Sequence, residues 1–84
     1  MNYEYQDSRI ILFPEERIDS GNSADIEKEI NDILAEKEIT SVIMDLKDLT
    51  YISSAGLRIL LHVKKAYSDM KLVNVNSDIY EILD

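Results

Sequence analysis

Apolar residues recur along the chain in two periods, which together predict strands alternating with helices. Tyr3 to Gln6 alternates weakly, and Arg9 to Phe13 is a short apolar run with two isoleucines, as expected for strands. Asp7 and Ser8 lie between these segments as a two-residue turn signal, which predicts an antiparallel hairpin. Pro14 lacks a backbone N–H group and is predicted to end the second strand.

A helical period follows the hairpin. We predict a loop from Pro14 to Asn22, after which Asn22 or Ser23 caps a first helix that runs to about Lys37. Asp25 lies in the first turn, where the helix dipole favours negative charge. The spacing i, i+4, i+7 and i+8 places one apolar stripe on this helix, formed by Ile26, Ile30, Ile33 and Leu34.

The second half of the chain predicts a buried strand and a long helix. The strand is Ser41 to Leu46, and Asp45 near its end must find hydrogen-bond donors or water. Lys47 to Ser53 is predicted to connect it to a helix from about Ser54 to near Asp69. We expect this helix to be buried over much of its circumference, because its apolar residues cover more than one stripe: Leu57, Ile59, Leu60, Leu61, Val63, Ala66 and Tyr67.

Lys71 to Val75 is predicted to be the last strand, and Ser77 is predicted to cap a short last helix. This order of elements predicts an α/β fold, a mixed sheet of about four strands with an N-terminal antiparallel hairpin and with helices packed on the sheet. Partners of such sheets meet the loops at the carboxyl ends of the strands. Ser53 and Ser54 follow a strand and lie at such an end.

Composition narrows the classes of function. The 84 residues predict a single domain, 1–84. The net charge of −8 disfavours nucleic acid and anionic membranes as partners and favours a protein. The chain has no cysteine, so it forms no disulfides. No apolar run is long enough to insert into a membrane, and the N-terminus lacks the pattern of a signal peptide, so we expect a cytoplasmic protein.

The side chains that could carry chemistry are few. A serine hydrolase would need His62 as its base, but helical rise separates His62 from Ser54 by roughly 12 Å, too far for direct proton transfer. No glycine-rich phosphate-binding loop is present, and we expect neither enzyme activity nor a cofactor or metal. His62 is interpreted as a helix-surface or half-buried packing residue, and Asp19 and Asp45 as loop carboxylates that hold backbone amides. The serine pair before an apolar helix is typical of a helix cap, and Ser54 as the N-cap would offer its oxygen to the free amides of the first turn.

The segment "DLKDLTYISSAGLRIL", Asp45 to Leu60, resembles the STAS family, named for sulphate transporters and anti-sigma factor antagonists. Asp45-Leu46 matches the family's strand end, Tyr51-Ile52 its apolar pair, and Gly56-Leu57 its helix opening. The upstream segment "RIDSGNSADIEKEI" is similar to the family's Leu-Asp, small-polar loop and helix, with Asp19 on the family aspartate. The resemblance covers nearly the whole chain.

The resemblance implies a phosphorylation switch. In the anti-sigma factor antagonists, a serine kinase that is itself the anti-sigma factor phosphorylates a serine of this motif, and only the unphosphorylated form binds the kinase. Ser54 matches the phosphoacceptor by position, and a cap and a phosphoacceptor can be the same residue. The implied partner-binding residues are Asp19, Ser53, Ala55, Gly56, Leu57 and Arg58. Gly56 is interpreted as allowing a close approach of the partner.

Alternatives remain open at this point. Ser53 stands where many family members have aspartate, which leaves it as a competing acceptor. Domains of this family commonly continue past the third helix, so the resemblance implies that domain 1–84 is short at the C-terminus. This suggests either a truncated form or a homodimer that covers exposed apolar surface. A constitutive STAS interaction subunit of a transport or signalling complex, without phosphorylation, is the alternative function.

Overall fold

The computed structural model describes residues 1–83, so Asp84, the end of the expected domain, lies outside the described residues. Six strands and three helices follow in the order β1 (Asn2–Gln6), β2 (Arg9–Phe13), β3 (Glu16–Ile18), α1 (Ser23–Ala35), β4 (Ser41–Asp45), β5 (Leu49–Ile52), α2 (Ser54–Ala66), β6 (Lys71–Val73) and α3 (Ser77–Leu83). The predicted first and second helices are confirmed, although each ends two or three residues before its predicted end. At the end of α2, Tyr67 takes an extended conformation, with ψ of 90°.

The main sheet has the strand order β1-β2-β4-β6. Strands β1 and β2 form the predicted antiparallel hairpin, in which Asn2 pairs with Phe13 and Gln6 with Arg9. The turn residues Asp7 and Ser8 have φ of 53° and 65°, the left-handed values that a two-residue hairpin turn requires. Strand β4 runs parallel to both β2 and β6. The predicted α/β fold with a mixed four-stranded sheet is therefore confirmed.

A second sheet corrects the prediction of a loop over 14–22 and a connection over 47–53. Strands β3 and β5 pair in parallel, with Ile18 opposite Ile52. Strand β3 has three residues, and its pairing shifts register next to Glu16, which has φ of 59°. A strand this short leaves no readable alternation in the sequence, and its partner lies far along the chain.

The core lies between the main sheet and the helices. Ile10 and Val42 are register partners, as are Leu12 and Met44, and all four side chains are fully buried. Helix α1 contributes Ile30 and Leu34 to the same cluster. The remaining buried members come from α2, α3, β3, β5 and the connecting segments: Ile18, Leu46, Leu49, Ile52, Ile59, Leu60, Val63, Met70 and Ile79. Each of the three helices buries apolar side chains in this cluster. Their removal from water is the main contribution to the stability of the fold.

Helix α2 is buried along one side only, which corrects the prediction that it is buried over much of its circumference. Its buried residues are Gly56, Ile59, Leu60 and Val63. Leu61 is 65% exposed, and Ala66 is also exposed. The sequence pattern was misleading here because Leu61 continues the apolar run but points away from the core. Among the described residues, no helix combines the length and apolar content needed to cross a bilayer.

Candidate functional site

The start of α2 is fixed by Ser53. Its backbone is extended, with ψ of 175°, and its hydroxyl accepts a hydrogen bond from the Gly56 N–H at 3.3 Å, so Ser53 is the N-cap. The Ser53 N–H donates to the Ile18 carbonyl at 2.8 Å, which ties the helix start to β3. The prediction that Ser54 is the cap is therefore wrong by one residue, because only Ser53 has the non-helical backbone that a cap requires.

Ser54 is the first residue of α2, and its side chain is exposed. Among the side chains that the structure describes, which leave out those of residues 78, 82 and 83, none forms a hydrogen bond with its hydroxyl. The residues that follow Ser54 differ in solvent exposure. Ala55 and Leu57 are half-buried, whereas Arg58, one turn after Ser54, is exposed. The two serines are thus distinguished by the structure, since one hydroxyl is engaged in capping and the other faces solvent.

Gly56 is buried, and its place is explained by packing inside the protein. A Cβ atom added there would lie 2.6 Å from Cγ1 of Ile52 and 2.9 Å from Cγ2 of Ile18. Real Cβ atoms do not come that close to other carbons, so a larger residue would push α2 away from β3 and β5. A direct contact between Gly56 and a partner stays a prediction, but the packing already requires glycine.

Asp19 lies at the same edge as Ser53, because β3 and β5 are parallel and each residue follows the end of its strand. One Asp19 oxygen accepts hydrogen bonds from the Gly21 N–H at 2.9 Å and the Asn22 N–H at 3.1 Å, and the other lies 3.0 Å from Nε of Arg17. The interpretation that Asp19 holds backbone amides is confirmed. Asn22 is the N-cap residue of α1 but makes no capping bond, since its side chain bonds Asp19 N–H and the Arg17 carbonyl.

Arg17 and Tyr51 form a surface pair that the sequence analysis missed. They are register partners in β3 and β5, and the Arg17 guanidinium carbon lies 4.9 Å from the centre of the Tyr51 ring. Tyr51 is 41% exposed, so the pair is accessible on the strand that leads to the serines. The two residues are brought together by the pairing of β3 with β5, and neither short segment reveals that pairing in the sequence.

Asp45 is 8% exposed, and both of its carboxylate oxygens accept hydrogen bonds from within the protein. Nδ2 of Asn74 lies 3.0 and 3.1 Å from its two oxygens, and the Lys47 N–H donates at 3.1 Å. Asn74 has φ of 55°, a left-handed conformation that asparagine tolerates better than most residues. Asp45 holds the backbone amide of Lys47, as interpreted, but it is the last residue of β4 rather than a loop residue. Asn74 is the partner that the sequence did not reveal.

His62 lies on the surface of α2 and is 61% exposed. Its Nδ1 is 2.5 Å from Oε2 of Glu27 on α1, so the ring links the two helices. The interpretation of His62 as a helix-surface residue is confirmed.

The N-cap of α3 also differs from the prediction, which placed it at Ser77. Oδ1 of Asn76 accepts the hydrogen bond from the Ile79 N–H, in the first turn of α3, at 2.9 Å.

Solved structures share this fold. An anti-sigma factor antagonist from Mycobacterium paratuberculosis superposes with a TM-score of 0.70 at 19% identity, over 84% of this chain and 61% of that one. The anti-sigma factor antagonist SpoIIAA in its unphosphorylated form gives 0.77 at 14% identity, over 98% and 76%. The protein TM1081 gives 0.78 at 24% identity, over 96% and 68%. The chain thus spans about three fifths of the Mycobacterium protein's length.

Sequence comparison identifies the family directly. No curated protein matches the chain closely enough to count as a relative. The family model described as the STAS domain, in contrast, matches residues 1–84. Because this match extends over the whole sequence and the fold agrees with the solved structures, the chain belongs to the STAS domain family.

Proposed function

We propose that this chain is a phosphorylation-switched protein-binding module of the anti-sigma factor antagonist type, with Ser54 as its phosphoacceptor. In its unphosphorylated form it binds an anti-sigma serine kinase, and phosphorylation of Ser54 ends that binding. The observation that carries the proposal is the exposed, unengaged Ser54 hydroxyl at the start of α2. Two solved structures with the same fold are anti-sigma factor antagonists, which supports this type.

The distinction between the two serines rests on what each hydroxyl does. A kinase needs an accessible hydroxyl, and Ser54 offers one without loss of any hydrogen bond among the described residues. Phosphorylation of Ser53 would instead disturb the hydroxyl that accepts the Gly56 N–H bond, and Ser53 is less exposed. Loss of such a cap costs about 0.5–2 kcal/mol. Ser54 is therefore the better acceptor, and Ser53 acts as the cap.

The fold is expected to tolerate a phosphate on Ser54. A phosphoserine carries about −1.5 to −2 charges, and the N-terminus of a helix favours negative charge. The modification therefore leaves α2 in place and changes the surface that a partner meets. A coupling of about 1–3 kcal/mol between phosphate and partner would change the affinity about 5- to 150-fold.

The proposed contact surface surrounds the start of α2 and comprises Asp19, Ser53, Ala55, Gly56, Leu57 and Arg58. The partner is a protein rather than nucleic acid or a membrane, because the chain carries a net charge of −8. We propose a single-domain, cytoplasmic regulator that binds its partner without catalysing a reaction.

The test is phosphosite mapping by mass spectrometry of the protein purified from its native cells, as wild type, Ser54→Ala and Ser53→Ala. The proposal expects one phosphate on Ser54 in the wild type and in Ser53→Ala, none in Ser54→Ala, and a co-purifying serine kinase. Phosphate that persists in Ser54→Ala would reject the assignment. A protein without phosphate that co-purifies with transporter subunits would instead favour a constitutive STAS interaction subunit.

A further inference from the structure

One exposed stripe runs down α2 from Ser54. Ser54, Arg58, Leu61 and Lys65 follow at the helical spacing i, i+4, i+7 and i+11, and all four are exposed. This α2 stripe lies on the side of the helix opposite Gly56, Ile59, Leu60 and Val63, which face the core. A partner that contacts Ser54 therefore has the rest of the stripe within reach along the same helix.

The α2 stripe is basic on an acidic protein. Helix α2, Ser54–Ala66, contains Arg58, Lys64 and Lys65 and no acidic residue, although the chain has 17 acidic and 9 basic residues. Helix α1 shows the opposite composition, with Asp25, Glu27, Glu29 and Asp32 against a single lysine. Three of the nine basic residues thus lie on a helix that has no acidic residue, and the charge of an acidic partner is complementary to that helix.

An apolar anchor lies in the middle of this charge. Leu61 is 65% exposed, and it borders a groove of about 440 Å³ that Leu57, Leu60, Met70, Leu72 and Lys64 also line. An exposed leucine beside an apolar groove costs solvation free energy in the isolated chain and gains it when a partner covers both. The surface therefore combines an apolar anchor site with a cationic rim, as protein interfaces do.

We propose that the α2 stripe and its groove dock an acidic amphipathic helix of a partner protein, whose apolar side chains cover Leu61 and whose carboxylates face Arg58 and Lys65. An extended polyanion such as nucleic acid or a membrane surface would also meet the acidic remainder of the chain, whereas a single helix contacts the stripe only. The identity of the partner and the direction of the switch rest on the proposed function.

This surface also gives the switch a mechanism. A phosphate on Ser54 lies one helical turn from Arg58, at the spacing where side chains of opposite charge pair. The phosphate would engage Arg58 and add about −1.5 to −2 charges at the head of the stripe. An acidic helix would then lose a cation and face a dianion, so its affinity falls without any change of fold.

The probe is a synthetic, fluorescently labelled helical peptide with leucine at i, i+3, i+4 and i+7 and glutamate at its other positions. Binding to the full chain is measured by fluorescence anisotropy at low and physiological salt. We expect saturable binding that weakens with salt. A peptide with glutamine for glutamate and a peptide with serine for leucine should both bind more weakly. Equal binding of either control peptide would overturn the proposed partner chemistry.

Matched variants locate the site. Leu61→Ala should lower the affinity about tenfold, and Arg58→Gln combined with Lys65→Gln about fivefold. Tyr80→Ala removes a side chain of similar exposure, 63%, on α3, and Lys28→Gln removes an exposed cation on α1; both should bind as the wild type does. Unchanged binding by the α2 variants would overturn the inference, as would anionic vesicles that outcompete the peptide. Analytical ultracentrifugation tests whether a second copy of the chain occupies the groove. A wild-type dimer that Leu61→Ala converts to a monomer would show this and would overturn the proposed partner helix.

The switch is tested separately. Ser54→Glu should weaken peptide binding, whereas Ser77→Glu, a change at the first residue of α3, should not. Ser54→Glu could bind the peptide as tightly as the wild type does while the Arg58→Gln, Lys65→Gln variant binds it more weakly. That result would support the docking surface and reject the switch. Circular dichroism of each variant checks that the fold is retained.

Discussion

Gly56→Ala tests the tight contact between α2 and the β3–β5 pair. The new methyl group would meet Cγ1 of Ile52 at 2.6 Å, and Cγ2 and Cβ of Ile18 at 2.9 and 3.1 Å. These atoms lie next to the backbone of buried isoleucines rather than at the end of flexible side chains. The methyl group therefore cannot be accommodated by a small side-chain rotation, and α2 or the two strands must shift.

Two opposing effects set the magnitude. Alanine is a better helix former than glycine by about 1 kcal/mol in a helix interior, which would stabilise the variant. Overpacking a well-packed core costs about 1–3 kcal/mol, and here two contacts fall below 3.0 Å. We expect the overpacking to dominate and the free energy of unfolding to fall by about 1–2 kcal/mol.

The assay is urea unfolding followed by circular dichroism. With an m-value of about 1 kcal/mol/M for a small domain, the midpoint should fall by about 1–2 M. Ala24→Gly is the matched control, because Ala24 is exposed in the first turn of α1 and meets no such crowding. It should destabilise the protein, which would show that the preference for alanine holds at a free helix position. A Gly56→Ala protein as stable as the wild type would refute the reasoning, since α2 would then have room for a side chain.

Three further changes test other contacts of the site. Ser53→Ala should lower the unfolding free energy by about 1 kcal/mol, because the Gly56 N–H loses its acceptor, whereas Ser54→Ala should change it little; urea unfolding of the pair checks which serine is the cap. Asp45→Ala should cost about 1–3 kcal/mol, measured as the shift in thermal midpoint, because Asn74 Nδ2 and the Lys47 N–H lose their acceptor; a neutral result would contradict the burial. Asn76→Ala should cost about 1–2 kcal/mol and increase hydrogen exchange in α3, because Asn76 caps Ile79 and donates to the Leu49 carbonyl at 2.6 Å; unchanged exchange of the Ile79 amide would argue against the cap.

The parts of the fold that the sequence predicted are those with long periods or strong turn signals. The hairpin followed from Asp7 and Ser8 between two short strands, and α1 from its apolar stripe. The β3–β5 pair could not be predicted, since three or four residues carry no periodicity and the pairing joins distant segments. The exposure of Leu61 could not be predicted for a related reason. An apolar residue on a helix is expected in the core unless the side of the helix that faces the core is known.

The candidate site shows the same limit. The motif placed a hydroxyl at the start of α2, but two adjacent serines offer the same chemistry, and only the extended backbone of Ser53 decides which one caps. Gly56 was interpreted as room for a partner, whereas its neighbours Ile18 and Ile52 belong to strands whose pairing was not recognised. Local chemistry was therefore readable from the sequence, and the packing that assigns roles to neighbouring residues was not.

The hydrogen bond from the Ser53 amide to the Ile18 carbonyl joins residues that are far apart in the chain. A short synthetic peptide that spans the two serines contains the motif but lacks β3, so it loses the bond that fixes the helix start in the folded protein. We expect a kinase that reads this shape to modify the folded protein and to ignore both the peptide and nascent chains. Modification would then be possible only after folding is complete, which excludes immature protein from the regulatory pool.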